Sequence, residues 1–234
     1  IYKKISKHTK KNKLSNINDL FFYKKITFIN EIQFLTKLYI KENLTQYYNK
    51  NFNMSSFESK EKFISKLPNI TPNGIINPRK ETQKIYRLIL EYIFKSISDI
   101  SPYIKNFAVP VIRYKKGNLN KKIKSRPYAT SKIHSDAWVG QYGDGIISLG
   151  IIGDFKNNGV NFYYPEKISS NFFDKINDYD DGAKLYSKKK KIGQLQEKKW
   201  FLFDHSILHN SFIKKNAKPR ISIDFGINIS DNLD

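Results

Sequence analysis

The C-terminal stretch 202–227, LFDHSILHNSFIKKNAKPRISIDFGI, decides the fold of this chain. Its last eight residues alternate polar and apolar side chains, which is the pattern of a β-strand with two different faces. The two faces carry Arg220, Ser222 and Asp224 on one side, and Ile221, Ile223 and Phe225 on the other. Such a strand is either an ordinary surface strand or the wall of a polar cavity whose outer face packs on helices.

Four more β-rich runs precede this one, separated by Gly, Asn, Lys and Pro. They lie at 107–115, 145–152, 159–164 and 199–205. Many short strands with turn signals between them predict a sandwich or barrel. A long polar segment, 165–198, interrupts the series, and it is either a lid or binding loop or a solvated insertion.

The N-terminal part of the chain has a different pattern. Residues 1–20 are polar and Lys-rich and read as a basic arm, whereas 31–48 and 81–100 show apolar residues at helical spacing. We therefore predict two regions: a basic arm and helical part over 1–102, packing on a β core over 103–234.

The composition excludes several classes of protein. The 234 residues contain no Cys, which excludes disulfides, thiolate metal sites and a Cys nucleophile and is compatible with the cytoplasm, the expected location. No apolar run is long enough to predict a membrane span. The net charge of +21 suggests nucleic acid, but the basic residues are mostly Lys in an Asn- and Ile-rich chain, so we attribute the charge to AT-rich codon usage.

Three residues have the types required for a metal site with two His and one carboxylate. In a strand, His134 and Asp136 of the sequence His-Ser-Asp would project to the same face. A distal His completes a facial triad that suits Fe(II), because it leaves the opposite coordination positions open. His205 and His209 are both candidates for this third place.

The order His-x-Asp, distal His, Arg-x-Ser resembles the Fe(II)/2-oxoglutarate-dependent oxygenase superfamily over roughly 103–228, either the phytanoyl-CoA-hydroxylase-like type or bacterial members acting on carbohydrates and other small molecules. The resemblance implies a double-stranded β-helix (jelly roll, cupin-like) packed against N-terminal helices. It implies Fe(II), 2-oxoglutarate and O₂ as cofactors, with Fe(II) on His134, Asp136 and His209. His209 fits the family spacing better than His205, because it lies 11 residues before Arg220. It also implies that Arg220 pairs with the distal carboxylate of 2-oxoglutarate, that Ser222 assists, and that Tyr114 of RYKKG touches this co-substrate.

The expected reaction is hydroxylation of a small-molecule substrate with release of succinate and CO₂. Because Asp136 is a carboxylate and not Gly or Ala, halogenation is disfavoured. Residues flanking the site are candidates for contact with the substrate, namely Arg126, Trp138 and Tyr142. Trp138 and Tyr142 are equally candidates for aromatic residues of the hydrophobic core. Three alternatives stay open: a non-catalytic cupin-like barrel that binds sugar or metal, a basic nucleic-acid-binding module, and a zinc hydrolase.

Overall fold

The computed structural model describes residues 21–117, 126–140 and 144–229. The helices are α1 (Ile29–Tyr48), α2 (Glu61–Ile64) and α3 (Gln83–Ser96). The strands are β1 (Phe21–Lys25), β2 (Ile104–Phe107), β3 (Val111–Lys115), β4 (Gly145–Gly153), β5 (Asn158–Pro165), β6 (Lys189–Gln194), β7 (Lys199–Phe203), β8 (Leu208–Ile213) and β9 (Arg220–Ile229). The predicted mainly-β class is confirmed.

The strands form two sheets, and every pairing between named strands is antiparallel. The large sheet has the order β1-β7-β4-β9-β2, with β3 also paired to β9, and the small sheet has the order β6-β5-β8. Strand β4 is almost continuously apolar because it lies between β7 and β9 with both of its faces covered.

Helices α1 and α3 pack on one face of the large sheet. Their buried residues lie at helical spacing, for example Ile32, Leu35 and Tyr39 on α1 and Ile89 and Ile93 on α3. They share one hydrophobic cluster with the apolar faces of β4 and β9, which contribute Ile147, Leu149, Ile221 and Ile223. Strand β9 is therefore not an ordinary surface strand, because its apolar outer face packs under helices and its polar inner face lines a cavity.

The inner face of the large sheet is covered by the small sheet. Aromatic residues from both sheets pack together at one end of the interface, with Phe21, Phe201 and Phe203 on the large sheet meeting Phe162 on the small one. The remaining space between the sheets is a cavity of about 570 Å³, lined by residues of β3, β4, β5, β8 and β9.

Several sequence predictions about elements need correction. The N-terminal part is not purely helical, because β1 pairs with β7 and so joins residues before position 102 to the large sheet. The run 107–115 contains the last residue of β2 and the whole of β3, and the two strands are separate because Pro110 between them has no N–H to donate. The polar segment 165–198 contains β6, whose Lys-rich sequence suits an exposed sheet edge and hid its strand character. The basic arm 1–20 lies outside the described residues.

None of the described helices is both long enough and apolar enough to cross a membrane.

Candidate metal centre

His134 and His209 are brought together by backbone hydrogen bonds. The amide of His134 donates to the carbonyl of His209 at 3.0 Å, and the amide of His209 donates back to the carbonyl of His134 at 2.8 Å. The two imidazole ring centroids lie 4.2 Å apart. Two residues that lie 75 positions apart in sequence thus become direct neighbours at the start of β8.

Asp136 reaches the same place by a turn and not by a strand. It is the first residue of a short 3₁₀ helix, Asp136–Val139, and the hydroxyl of Ser135 accepts a hydrogen bond from the Ala137 amide at 3.3 Å. The expected strand over His134–Asp136 is therefore wrong in conformation. The carboxylate nevertheless lies on the same side as the imidazole, because one extended residue followed by a helical turn also brings positions i and i+2 together.

The three predicted ligands converge on one point. Asp136 Oδ2 lies 3.6 Å from His209 Nε2, and Asp136 Oδ1 lies 4.0 Å from His134 Nε2. One ligand atom from each residue lies within 4.8 Å of the others. Small side-chain shifts would let such a set bind an ion with ligand bonds of about 2.0–2.2 Å.

Backbone carbonyls orient both imidazoles for metal binding. His134 Nδ1 lies 2.9 Å from the carbonyl of Lys132, and His209 Nδ1 lies 3.1 Å from the carbonyl of Ile207. A carbonyl can only accept, so each Nδ1 carries the proton and donates it. Each Nε2 is then left with a free lone pair towards Asp136, which is the arrangement of metal-bound histidines.

The burial of His134 also favours the metal-binding protonation state. Burial, with a further contribution from His209, lowers the pKa of His134 to about 3. The imidazole is therefore neutral at physiological pH, and no proton has to leave it before a metal ion can bind.

Arg220 lies in the same cavity and has an unusual environment. Its side chain is 1% exposed, yet it makes no ion pair with any carboxylate in the described parts of the chain. Its Nη1 donates to Ser222 Oγ at 3.0 Å, and its guanidinium lies 5.4 Å from the Phe155 ring centroid. Its Nε has no hydrogen-bond partner among the residues that the structure describes. Burial lowers the pKa of Arg220 to about 10, so the group is still charged at neutral pH.

An isolated buried charge is costly unless something pairs with it. Arg113, on the neighbouring strand, illustrates the usual solution, since its Nε donates to Asp224 Oδ2 at 2.9 Å. Asp224 also accepts a hydrogen bond from Ser148 Oγ, so it is already engaged by two groups. A ligand carboxylate in the cavity would therefore supply the ion pair that the buried guanidinium of Arg220 lacks.

Tyr114 is not brought to this cavity. It lies on the outer face of β3, 2% exposed, with its ring edge-on to Phe57, and it belongs to the hydrophobic cluster under the helices. Since successive strand residues face opposite sides, the residue that enters the cavity is Lys115. The sequence analysis missed Lys115, although the same alternation that places Arg113 inward would have identified it.

Two of the three predicted substrate residues, Trp138 and Arg126, do not line the cavity either. Trp138 is fully buried in a separate aromatic cluster, and its Nε1 donates to the carbonyl of Phe172 at 2.8 Å. Arg126 donates through Nη2 to Asn73 Oδ1 at 3.1 Å, outside the cavity that holds the triad. Tyr142 lies outside the described residues. These predictions rested on sequence proximity to the ligands, which does not decide which side chains enter the cavity.

His205 lines the cavity without joining the metal ligands. Its ring is 8% exposed, and neither ring nitrogen has a hydrogen-bond partner in the described structure. Burial lowers the pKa of His205, so its ring is neutral. The structure groups His209, and not His205, with His134 and Asp136.

Part of the segment 165–198 forms a wall beside the metal centre. Tyr179 stacks on the His134 ring, with centroids 4.2 Å apart and an interplanar angle of 13°. The Ile176 amide donates to the Trp138 carbonyl at 3.1 Å, and Lys132 Nζ lies 2.7 Å from carboxylate oxygens of both Asp178 and Asp180. This part of the segment is packed structure and not a solvated insertion.

Gly182 allows the close approach of this wall to Trp138, and we expect Gly182→Ala to destabilise the fold. A Cβ at this position would lie 2.0 Å from Trp138 Cζ3, on a side chain that is fully buried. Overpacking of this kind costs about 1–3 kcal/mol of unfolding free energy, measurable by denaturant titration. Gly226→Ala is the matched control, because its Cβ would meet its nearest neighbour at 3.9 Å. Equal stability of the two variants would contradict the predicted packing.

No protein-family model and no curated protein matches the chain. Among solved structures, the chain is similar to a prolyl hydroxylase of Trichoplax adhaerens in complex with a hypoxia-inducible-factor peptide, at 9% identity and a TM-score of 0.46 over 97% of this chain and 88% of that one. It is similar to a prolyl-4-hydroxylase of Pseudomonas putida, at 8% identity and a TM-score of 0.42 over 89% and 92% of the two chains. It is also similar to SnoK, a non-haem alpha-ketoglutarate-dependent carbocyclase from nogalamycin biosynthesis, at 8% identity and a TM-score of 0.48 over 88% and 79%. At TM-scores below 0.5 these likenesses carry no weight for function, which has to be judged from the site itself.

Proposed function

We propose that this protein is an Fe(II)- and 2-oxoglutarate-dependent dioxygenase that hydroxylates a small molecule and releases succinate and CO₂. The observation that carries the proposal is the unpaired, buried guanidinium of Arg220 in the same cavity as His134, Asp136 and His209. One end of the cavity suits a metal, and the other suits a carboxylate. Two antiparallel sheets around a cavity are also the arrangement expected of a double-stranded β-helix.

Each part of the cavity has a distinct role in this proposal. His134, Asp136 and His209 hold the metal, while Arg220 and Ser222 orient the distal carboxylate of the co-substrate. The metal and co-substrate, when bound, supply the oxidative decarboxylation and the oxidation of the substrate. The protein orients these groups and keeps the reacting carbon near the metal. A cavity of about 570 Å³ is within the size range of small-molecule sites.

The alternative functions account for fewer of these features. A zinc hydrolase would use the triad, but it would leave the unpaired charge of Arg220 without a task. A nucleic-acid-binding module would use the surface charge and would leave both the triad and Arg220 unexplained. A cupin-like binding protein would share the fold and the metal, and it differs from a dioxygenase only in the lack of turnover.

The proposal predicts a specific absorption band. We expect the protein, loaded anaerobically with Fe(II) and then with 2-oxoglutarate, to develop the weak visible charge-transfer band of an iron–2-oxoglutarate chelate. The measurement needs no substrate, and Fe(II) with succinate in place of 2-oxoglutarate is the control. Absence of the band in folded protein that binds metal would refute the co-substrate assignment. If the band forms, succinate release after O₂ is admitted separates an oxygenase from a cupin-like binding protein.

A further inference from the structure

Lys115 and Arg220 form a pair of like charges directly across two strands. Lys115 is the last residue of β3 and Arg220 the first residue of β9, and the two are partners in the antiparallel register. Both side chains line the cavity that contains the metal centre. Like charges placed directly opposite each other on one sheet face repel, so this pair is unfavourable unless an anion lies between or beside them.

Neither Lys115 nor Arg220 forms an ion pair with a carboxylate of the described residues. The hydrogen bond of Lys115 Nζ is to Thr130 Oγ1, at 3.3 Å, and that of Arg220 is to Ser222 Oγ, at 3.0 Å. The only acidic residues lining the cavity in the described structure are Asp136, which faces the two histidines, and Asp224, which is bound to Arg113 and Ser148. This end of the cavity therefore presents two cations and two hydroxyls, and its nearest carboxylate, Asp224, is already bound by Arg113 and Ser148.

We propose that Lys115 and Arg220 together bind the distal carboxylate of a 2-oxo dicarboxylate, with Thr130 and Ser222 as hydrogen-bonding neighbours. The inference rests on the proposed function and adds a second cationic residue to the co-substrate site. Arg220 offers a planar fork of donors that fits a carboxylate, while Lys115 adds a compact point charge from the neighbouring strand. Lys115 thus takes the place on β3 that the sequence analysis gave to Tyr114, which faces the opposite side of the strand.

The electrostatic environment of Lys115 supports this role. Burial, followed by the charges of Arg113 and Arg220, lowers the pKa of Lys115 to about 7, and Arg126 adds to the shift while Asp224 opposes it. Among the described residues, Lys115 also interacts with the neutral His134. A carboxylate beside the ammonium would favour the charged form and raise this pKa again. Binding of the dicarboxylate is therefore coupled to proton uptake by Lys115 at and above neutral pH.

The first test compares two ligands on protein preloaded with Mn(II). 2-Oxoglutarate carries the distal carboxylate, and 2-oxopentanoate has the same chain length and chelating end without it. We expect Lys115→Met to weaken 2-oxoglutarate binding by roughly 10- to 100-fold, the effect of losing a hydrogen bond between charged groups, and to leave 2-oxopentanoate binding unchanged. Lys115→Arg, which keeps the charge, should retain most of the preference for the dicarboxylate.

The neighbouring residue offers a matched control. Lys116 is exposed and does not line the metal cavity, so Lys116→Met removes the same charge one position away. We expect this variant to bind both ligands as the unmodified protein does. An equal loss in Lys116→Met and Lys115→Met would overturn the proposal, since it would indicate a general effect of net charge.

The second test needs no variant to fold. Calorimetric titration of the metal-loaded protein with 2-oxoglutarate in two buffers of different ionisation enthalpy gives the number of protons taken up. Because the metal is bound beforehand, the histidine ligands do not contribute to the number of protons taken up. We expect a fractional uptake that grows from pH 7 to pH 8, with an affinity that falls over the same interval as Lys115 loses its proton in the free protein.

The outcomes distinguish this inference from the proposed function. If the unmodified protein binds 2-oxoglutarate but Lys115→Met binds it equally well and no proton is taken up, the role of Lys115 is refuted and the dioxygenase proposal stands. If Lys115→Met weakens both ligands alike, Lys115 has only a structural role and the inference is overturned. If the unmodified protein binds neither ligand, the proposed function itself fails.

Discussion

Replacing Asp136 by alanine is expected to abolish the Fe(II)–2-oxoglutarate absorption band. Asp136 is the only carboxylate among the three ligands, and it lies 3.6 Å from His209 Nε2 and 4.0 Å from His134 Nε2. Its removal leaves two neutral imidazoles, which hold a divalent cation without any compensating negative charge. Since loss of a residue that merely orients a ligand costs about 10–100-fold in metal affinity, loss of the ligand should exceed this range.

The measurement is an anaerobic titration with Fe(II), followed by addition of 2-oxoglutarate. Asp136→Asn is a useful second variant, because it keeps the shape of the side chain and removes the charge. Asp174→Ala is the matched control, as Asp174 is exposed and lies outside the metal cavity. An Asp136→Ala protein with an undiminished band or unchanged turnover would refute the triad.

Replacing Arg220 by methionine is expected to weaken 2-oxoglutarate binding strongly while leaving metal affinity unchanged. Removal of one partner from a buried, hydrogen-bonded charge pair costs about 2–5 kcal/mol, which is a loss of about 30- to 5,000-fold in affinity. Calorimetric titration of the metal-loaded variant measures this loss. An unaltered affinity for 2-oxoglutarate would remove Arg220 from the co-substrate site.

The stability of the same variant separates a binding role from a structural one. Arg220 lacks a carboxylate partner in the described structure, so its removal relieves an uncompensated buried charge, and the ligand-free protein should be no less stable than before. Arg113→Met is the contrasting variant, because it leaves Asp224 without its cation and should lower the unfolding free energy. A large loss of stability in Arg220→Met would mean that the guanidinium serves the fold.

The site residues that the sequence predicted are those whose chemistry follows from residue type and local spacing. Two His and one carboxylate define a ligand set wherever they meet, and the alternation of Arg220, Ser222 and Asp224 with apolar residues requires a strand with one polar face. The same alternation required a second layer to cover the apolar face, and α1 and α3 provide it.

Other outcomes could not be predicted from the sequence, because they depended on the path of the chain between elements. Trp138 follows Asp136 by two positions, but the 3₁₀ helix that begins at Asp136 directs its ring into a separate cluster. Strand β1 and strand β6 were missed because a short or highly charged strand carries little periodicity of its own and is stabilised by its partners β7 and β5.

The sequence by itself determined the mainly-β class, the two-faced last strand and the three residue types able to hold a metal, because period-two patterning and ligand chemistry are local properties. Only the tertiary structure brought the predicted ligands His134, Asp136 and His209 together, and only it decided that Lys115 and not Tyr114 enters the cavity beside Arg220. Strand register makes these choices, and a shift of one residue exchanges the faces of every side chain. That register is set by pairing between distant segments, such as β3 with β9. A local sequence pattern carries no information about this pairing.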